Sequence, residues 1–364
     1  MLGEILAPEP QLVTRLRPYT IEYAFSPENL FKAMRECCNG VRWKASVQRF
    51  EINTLRWAAN LRRSVIIGKF KSDGFVRFDI VERGKLRHIQ SVHISERVVQ
   101  KLLCKHILRP IHFPSLDYDN AASQAGKGTD FAINRLIFHL RQHYSNYGNA
   151  GAVAVMDFKA FFDSMPHSGV VSRLSEGVGD TLALKYIADF INAFDGDVGV
   201  GLGSEISQVA AVCYPDKIDK MIKCELGVDG FGRYMDDGYI IHHDRKHVEH
   251  CVERIADKSN ECGLELNMDK TKVHNLANDT FRFLKKRVRL KENGKVLVRL
   301  SRENLKAERK RIRIMRDEYD AGRMPANSII QSYKSWRGHA RKFNSYHEIG
   351  DMDKLFYSVM RGVV

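Results

Sequence analysis

Apolar and polar positions recur with different periods along this 364-residue chain, and each change of period marks a change of element. From 28 to 70 helix formers dominate, with basic and aromatic residues interleaved. From Phe75 the period becomes two, as Val76, Phe78 and Ile80 alternate with charged residues. A Glu82-Arg83-Gly84-Lys85 turn follows and a second run leads to His93, which predicts a β-hairpin with a basic tip. Ser95 as N-cap, with Glu96 and Arg97 behind it, opens a helix through Val98, Val99, Leu102 and Leu103 to Leu108. A second helix is predicted over Asp130 to Tyr144. Between 151 and 283, short apolar strands (Ala152 to Met156, Phe231 to Met235, Tyr239 to His242) alternate with helices near 180–194, 205–224 and 246–261. That alternation predicts an α+β core. From Ser301 onward the pattern is helical.

Composition narrows the class. With 44% hydrophobic and 28% charged residues the chain reads as globular, and this excludes a mainly disordered or collagen-like protein. The length suits two or three packed domains. No apolar run approaches the roughly 20 residues of a spanning helix, and Met1 to Pro10 carries Glu4 and Glu9 rather than a signal pattern, so a cytoplasmic location is expected. Seven scattered cysteines without a C-x-x-C pair read as buried, reduced thiols. The histidines around His242 to His250 read as a solvated helix face, since their spacing fits no common zinc site. The net charge of +14 points to a polyanion, either nucleic acid or an anionic membrane surface.

The chemistry begins at Asp157, which closes the apolar run Ala152-Val153-Ala154-Val155-Met156. A buried strand that delivers a carboxylate to its open end can hold a hard cation, although an Asp that ends a strand is more often a turn residue or helix cap. More specific is Tyr234-Met235-Asp236-Asp237 between two β-like runs. Adjacent carboxylates repel, and two magnesium ions shared with a third carboxylate would satisfy them; a polar turn is the alternative.

Those blocks together, Asp157 to Asp163 and Tyr234 to Asp237, resemble the palm of a reverse transcriptase. Three further blocks fall in the family's order. Gly84-Lys85-Leu86-Arg87 leading to Ser95-Glu96-Arg97-Val98-Val99-Gln100 resembles the fingers block, Leu202 to Gln208 the block beneath the templating base, and Gly263 to Lys272 the Lys-Thr block. The likeness covers about residues 40 to 345. It implies an α+β right-hand polymerase: an N-terminal extension (1–40), fingers with part of the palm (41–150), an antiparallel-sheet palm (151–284) and a basic helical thumb (285–364).

The resemblance also assigns roles. Asp157, Asp236 and Asp237, with Phe158, would hold two Mg²⁺ ions, for which Mn²⁺ can substitute. Arg87 and Lys85 would meet the incoming triphosphate. Phe158, Gly203 and Gln208 belong with the nucleotide site, and Phe162, five residues after the first aspartate, would exclude a 2′-hydroxyl. Lys270 would act on the leaving pyrophosphate, or stand as an exposed lysine beside a strand. Residues 285 to 316 hold fourteen Lys or Arg against three acids. Lys285, Lys286, Arg302, Arg309, Lys310 and Arg313 are therefore expected on nucleic acid.

The chain departs from the family pattern in three places. Leu202-Gly203 and Ser207-Gln208 replace Gln-Gly and Ser-Pro, as in the reverse transcriptases of diversity-generating retroelements and antiphage defence systems. Ser123 to Thr129 replaces a Phe-Arg-Pro-like element, and Leu284-Lys285 replaces Leu-Gly. The expected function is RNA-directed DNA synthesis from dNTPs on a dedicated structured RNA, giving cDNA, with a protein partner or a second copy and no membrane. Antiphage defence is the favoured setting. The alternatives are error-prone retroelement copying, template-independent or protein-primed synthesis (from Tyr19, Tyr23 or Tyr357), and a non-catalytic RNA-binding scaffold.

Overall fold

A computed structural model describes residues 17–82 and 85–363, with the side chains of Glu82 and Lys85 also outside the description. The architecture is mixed α+β with antiparallel sheets. Helices Ile21–Ala24, Pro27–Cys38, Ala45–Ile52 and Thr54–Ile66 lead into strands β1 (Phe75–Glu82) and β2 (Lys85–Val92). These pair in register from Phe75 opposite Val92 to Glu82 opposite Lys85, so the predicted hairpin forms; its tip residues Arg83 and Gly84 lie outside the described residues. The helix expected behind a Ser95 cap starts at Ile94 with His93 as its N-cap, two residues earlier, and Ser95 is itself buried. This helix widens into a π-turn at Cys104–Leu108, just before Pro110, which has no N–H to continue an α ladder.

Strand β3 (Ala152–Lys159) is central, because its side chains are buried on both faces. On one side it pairs with β5 (Asp237–His242), which pairs in turn with β4 (Gly230–Tyr234). Its other edge is shared by the short β6 (Glu265–Leu266) and β7 (Lys272–Asn275). The single helix expected over 205–224 is broken at Pro215 into Glu205–Cys213 and Asp216–Lys220. One apolar cluster runs from Ile21 to Leu266, so the N-terminal helices and the central sheet share a core.

After the central sheet come β8 (Phe281–Phe283), β9 (Lys286–Leu290) and β10 (Val296–Leu300), a three-stranded antiparallel sheet. The helical reading of the C-terminal part therefore holds only from Arg302, not from 285. Val288 and Leu290, then Val296, Val298 and Leu300, follow period two, and that pattern was hidden by the density of charge. Ser301 caps the helix Arg302–Asp320 by accepting the Asn304 N–H at 3.1 Å. This helix packs with Ala326–Ala340 and Tyr346–Val359 around Leu305, Ile312, Met315, Ile329 and Phe356. Among the cysteines Cys224 is exposed, contrary to the expectation of buried thiols throughout.

Candidate active site

The hairpin β4–β5 turns in two residues, Met235 and Asp236, between the paired Tyr234 and Asp237. Met235 sits at φ 54°, a left-handed conformation that costs a side-chain-bearing residue energy and persists only where its surroundings enforce it. The enforcing residue is Arg233. Its Nη1 donates to the Met235 carbonyl at 3.1 Å and its Nη2 to the Val212 carbonyl at 3.0 Å. The rest of the guanidinium forks onto Asp219 at 2.8 and 2.7 Å, with both residues almost wholly buried.

Register then assembles the carboxylates. Asp157 stands directly opposite Asp237 across β3 and β5, where facing residues lie about 5 Å apart. Asp236 follows in the turn, its carbonyl accepting the Phe158 N–H at 3.3 Å. The Asn267 N–H donates to the Asp157 carbonyl at 2.7 Å and fixes the strand end. Burial, then the Asp157 charge, pushes Asp236 above the usual carboxylate range. Burial together with Asp236 and Asp157 carries Asp237 up to about 7. Lys270 Nζ lies 2.6 Å from Asp157 Oδ2, and this bond raises the lysine's own pKa.

Among the described residues, no three His, Cys, Asp or Glu side chains form a preassembled metal cluster. The donor set nevertheless suits a hard divalent cation: burial and neighbouring negative charge raise the pKa of Asp236 and Asp237, and an ammonium already stands against Asp157. The same shift predicts a pH dependence for the metal-free protein. Asp237 holds its proton more tightly folded than unfolded, so its stabilising contribution is full below 3.8 and is lost as the pH rises through about 7. The urea midpoint in chelator should fall between pH 5 and 8 and flatten in Asp237→Asn; equal slopes for the two proteins would contradict this.

A family model described as reverse transcriptase (RNA-dependent DNA polymerase) matches residues 71–288, more than half of the chain. The chain belongs to the reverse transcriptase family. Solved structures similar to it include apo telomerase from Candida tropicalis truncated from the C-terminal domain (12% identity, TM-score 0.48, 62% of this chain and 54% of that one). Telomerase from Candida albicans in complex with a TWJ fragment of telomeric RNA is also similar (10% identity, TM-score 0.47, 84% and 62%). The chain thus spans between 54% and 62% of the length of these two telomerases. No curated protein matches significantly.

The other positions singled out in the sequence have the following surroundings. Arg87 on β2 acts electrostatically on Asp236. The Lys85 side chain lies outside the described residues. The Phe162 ring is half-buried, edge-on to Phe161 at 5.7 Å. The Phe158 ring is buried beside Phe161, so only its main chain faces the site. Gly203 has φ 116° and lies under β2, where an added Cβ would stand 3.0 Å from the Gln90 carbonyl oxygen. The neighbouring Leu202 carbonyl accepts the Gln90 N–H at 2.8 Å, so this loop is hydrogen-bonded to the hairpin, while Gln208 is exposed on the following helix.

Lys285 and Leu284 form the β8–β9 turn with φ 60° and 47°, a pair of left-handed residues that a two-residue hairpin normally fills with Asn-Gly. The Lys285 charge acts on Asp237. Lys286 requires correction: strand parity turns it inward, where its ammonium meets His339 at 3.3 Å and lies 4.7 Å from the Phe343 ring centroid, so it is not on the exposed surface. Arg302, Arg309, Lys310 and Arg313 are exposed on their helix.

Sequence reasoning missed Arg233, Asp219 and Asn267, which hold the backbone of the site. The available signal was an arginine in an otherwise apolar strand run directly before the paired aspartates. It also missed a ladder of cations, since Arg282, Arg287 and Arg299 stand side by side across β8, β9 and β10. Like charges directly opposed destabilise a sheet. Here they line the solvent side beside an open cavity of about 220 Å³ bounded by Thr280, Arg282, Arg287 and Arg302. A phosphate backbone over this face would offset the repulsion. In duplex binding measured from 50 to 300 mM salt, Arg287→Ala with Arg299→Ala should reduce the log–log slope by about 2; an unchanged slope would remove the face from the binding surface.

Proposed function

We propose that this chain is an RNA-directed DNA polymerase that extends a primer with dNTPs. The observation that carries the reading is the register of Asp157 against Asp237 with Asp236 in the adjoining turn, where burial and then the two neighbouring charges carry Asp237 up to about 7. Asp157, Asp236, Asp237 and the Phe158 main chain would hold two Mg²⁺ ions, or Mn²⁺ in their place. When bound, these ions supply the positive charge that makes a primer 3′-hydroxyl nucleophilic at neutral pH and offsets charge on the triphosphate.

The chain's own side chains supply the rest. Arg87, with Lys85, binds phosphate oxygens through charge and a planar donor fork. Gly203 lets backbone approach the nucleotide closely, with Gln208 nearby on its helix. Lys270, already protonated beside Asp157, is placed to give a proton toward the leaving pyrophosphate. Phe162 closes the space a 2′-hydroxyl would need. Phe162→Ala should therefore lower discrimination against rNTPs by roughly 10- to 200-fold, read as the ratio of kcat/KM for dNTP and rNTP; an unchanged ratio would place the selection elsewhere.

The domain division follows the same reading: fingers over 41–150 behind the N-terminal extension, palm over 151–284, and a thumb from 285 whose Lys285, Arg302, Arg309, Lys310 and Arg313 grip the duplex. The departures at 123–129, 202–208 and 284–285 support an unusual, dedicated structured RNA as template and antiphage defence as the setting; a cDNA product, a protein partner or second copy and a cytoplasmic location complete the reading. No helix among the described residues is long and apolar enough to cross a membrane. Incorporation of dNTPs on a primed RNA, with sequencing of copurifying nucleic acid, tests the reading. One abundant structured RNA with its complementary DNA is the expected result; a chain inert on every primed RNA and carrying none would overturn it.

A further inference from the structure

The basic and aromatic interleaving of the N-terminal helices has no part in the site described so far. Helix Ala45–Ile52 turns Val47 and Phe50 inward, and Thr54–Ile66 turns Ala58, Leu61 and Val65 inward. Their buried stripes are thereby filled, yet Trp43 (75% exposed), Ile52 (81%), Leu55 (76%) and Trp57 (44%) remain at the surface around the Asn53 elbow. Two of the three tryptophans in the chain are thus spent on solvent, which burial alone does not explain.

The loop that carries Trp43 is held in place. Arg42 Nε lies 2.9 Å from Glu51 Oε1, and Gln48 Nε2 donates to the Arg42 carbonyl at 3.1 Å. The Lys44 ammonium is 5.4 Å from the Trp43 ring, and the Trp57 ring rests 5.8 Å from that of Phe50. Residues 41 to 72 contain eight Lys or Arg and one acid, Glu51, which is already paired with Arg42. Among the described residues no carboxylate pairs with Lys44, Arg49, Arg56 or Arg63, all of them exposed.

An apolar patch by itself suits a protein or a second copy of the chain. Charge decides against the second copy, which would bring the same cations face to face. Flat exposed indoles ringed by unpaired cations complement single-stranded nucleic acid, since every base has a face to stack and every nucleotide a charge to neutralise. We infer that the elbow formed by residues 42 to 63 binds single-stranded RNA, with bases stacked on Trp43 and Trp57 and phosphates on Lys44, Arg49, Arg56 and Arg63. The proposal takes RNA rather than DNA as ligand from the polymerase reading and uses none of its active-site residues. It gives the template RNA a second hold, away from the carboxylates.

The test is anisotropy of a labelled 20-nucleotide unstructured RNA with the full chain, without dNTPs, alongside a blunt RNA duplex. Trp43→Ala and Trp57→Ala should each weaken single-strand binding by roughly tenfold, and Trp43→Tyr should restore most of it. Arg49→Glu with Arg56→Glu should weaken binding and its salt dependence together. Duplex affinity and dNTP addition to a short preannealed primer–template should hold near wild type, which also shows that the variants are folded. Single-strand affinity unchanged in the tryptophan variants would overturn the proposal. So would a wild-type dimer by light scattering that becomes monomeric in Trp43→Ala, which would make the elbow a protein interface. A chain that lacks polymerase activity but shows the tryptophan-dependent binding would separate failure of the enzyme reading from failure of this one.

Discussion

Asp236→Asn is expected to abolish dNTP incorporation on primed RNA, with a loss on the order of a thousandfold or more. The estimate follows from the position of the residue. It occupies the second turn position of the β4–β5 hairpin, beside Asp237 and within the electrostatic reach of Asp157. Asparagine keeps the volume and one acceptor oxygen but removes a charge that a divalent cation would neutralise. The loss of several kcal/mol of charge stabilisation sets the fold-change. Folding should not suffer, because the substitution removes the Asp236 charge that, after burial, helps lift Asp237 to about 7. Affinity for a template–primer duplex should hold or rise slightly, since a negative charge is lost from a site that meets phosphates. Steady-state incorporation with Mg²⁺, measured beside duplex binding, checks both halves. Activity within tenfold of wild type would remove Asp236 from the machinery, and equal inertness of wild type and variant with binding intact would favour the scaffold alternative.

The largest stability effect is expected at Arg233. Arg233→Met strands the Asp219 carboxylate, which is 1% exposed, without its guanidinium, and deprives the Met235 and Val212 carbonyls of a donor. Breaking one side of a buried ion pair costs about 3–5 kcal/mol. The cost should appear as a lower urea midpoint with little change in slope. Pairing it with Asp219→Leu should recover much of that loss, because two apolar side chains of similar volume leave no buried charge uncompensated. Activity should not recover in the double variant, since the Met235 carbonyl, at φ 54°, then lacks the Arg233 donor. A single variant within about 1 kcal/mol of wild type would show that water or another group replaces the guanidinium.

These two residues differ in how visible they are before folding. Asp236 and Asp237 announce themselves by adjacency between two β-like runs, and Asp157 by closing an apolar run, so each is read from a few neighbouring residues. Arg233 sits one residue before that motif, but its partner Asp219 is fourteen positions back on a different element. No short-range pattern links them. Lys270 reaches Asp157 across 113 positions, and the Asn267 amide meets the same residue's carbonyl, contacts created only when β6 and β7 share the edge of β3. The cations after residue 281 show the same division. Their number was plain in the sequence, while Lys285 exposed and Lys286 buried follow from strand parity, where a shift of one residue exchanges solvent for core.

Local sequence alone therefore determined which segments become the central strands and helices, where paired charge must gather and where positive charge accumulates. Periodicity, caps and adjacency are interactions among residues that stay neighbours in every conformation of the chain. Tertiary structure alone decided that Asp157 faces Asp237, that Arg233 braces their turn, that three arginines align across one sheet and that two tryptophans stay outside. Those outcomes depend on register and on which surfaces are left once the core is filled, and neither is defined until distant segments have packed.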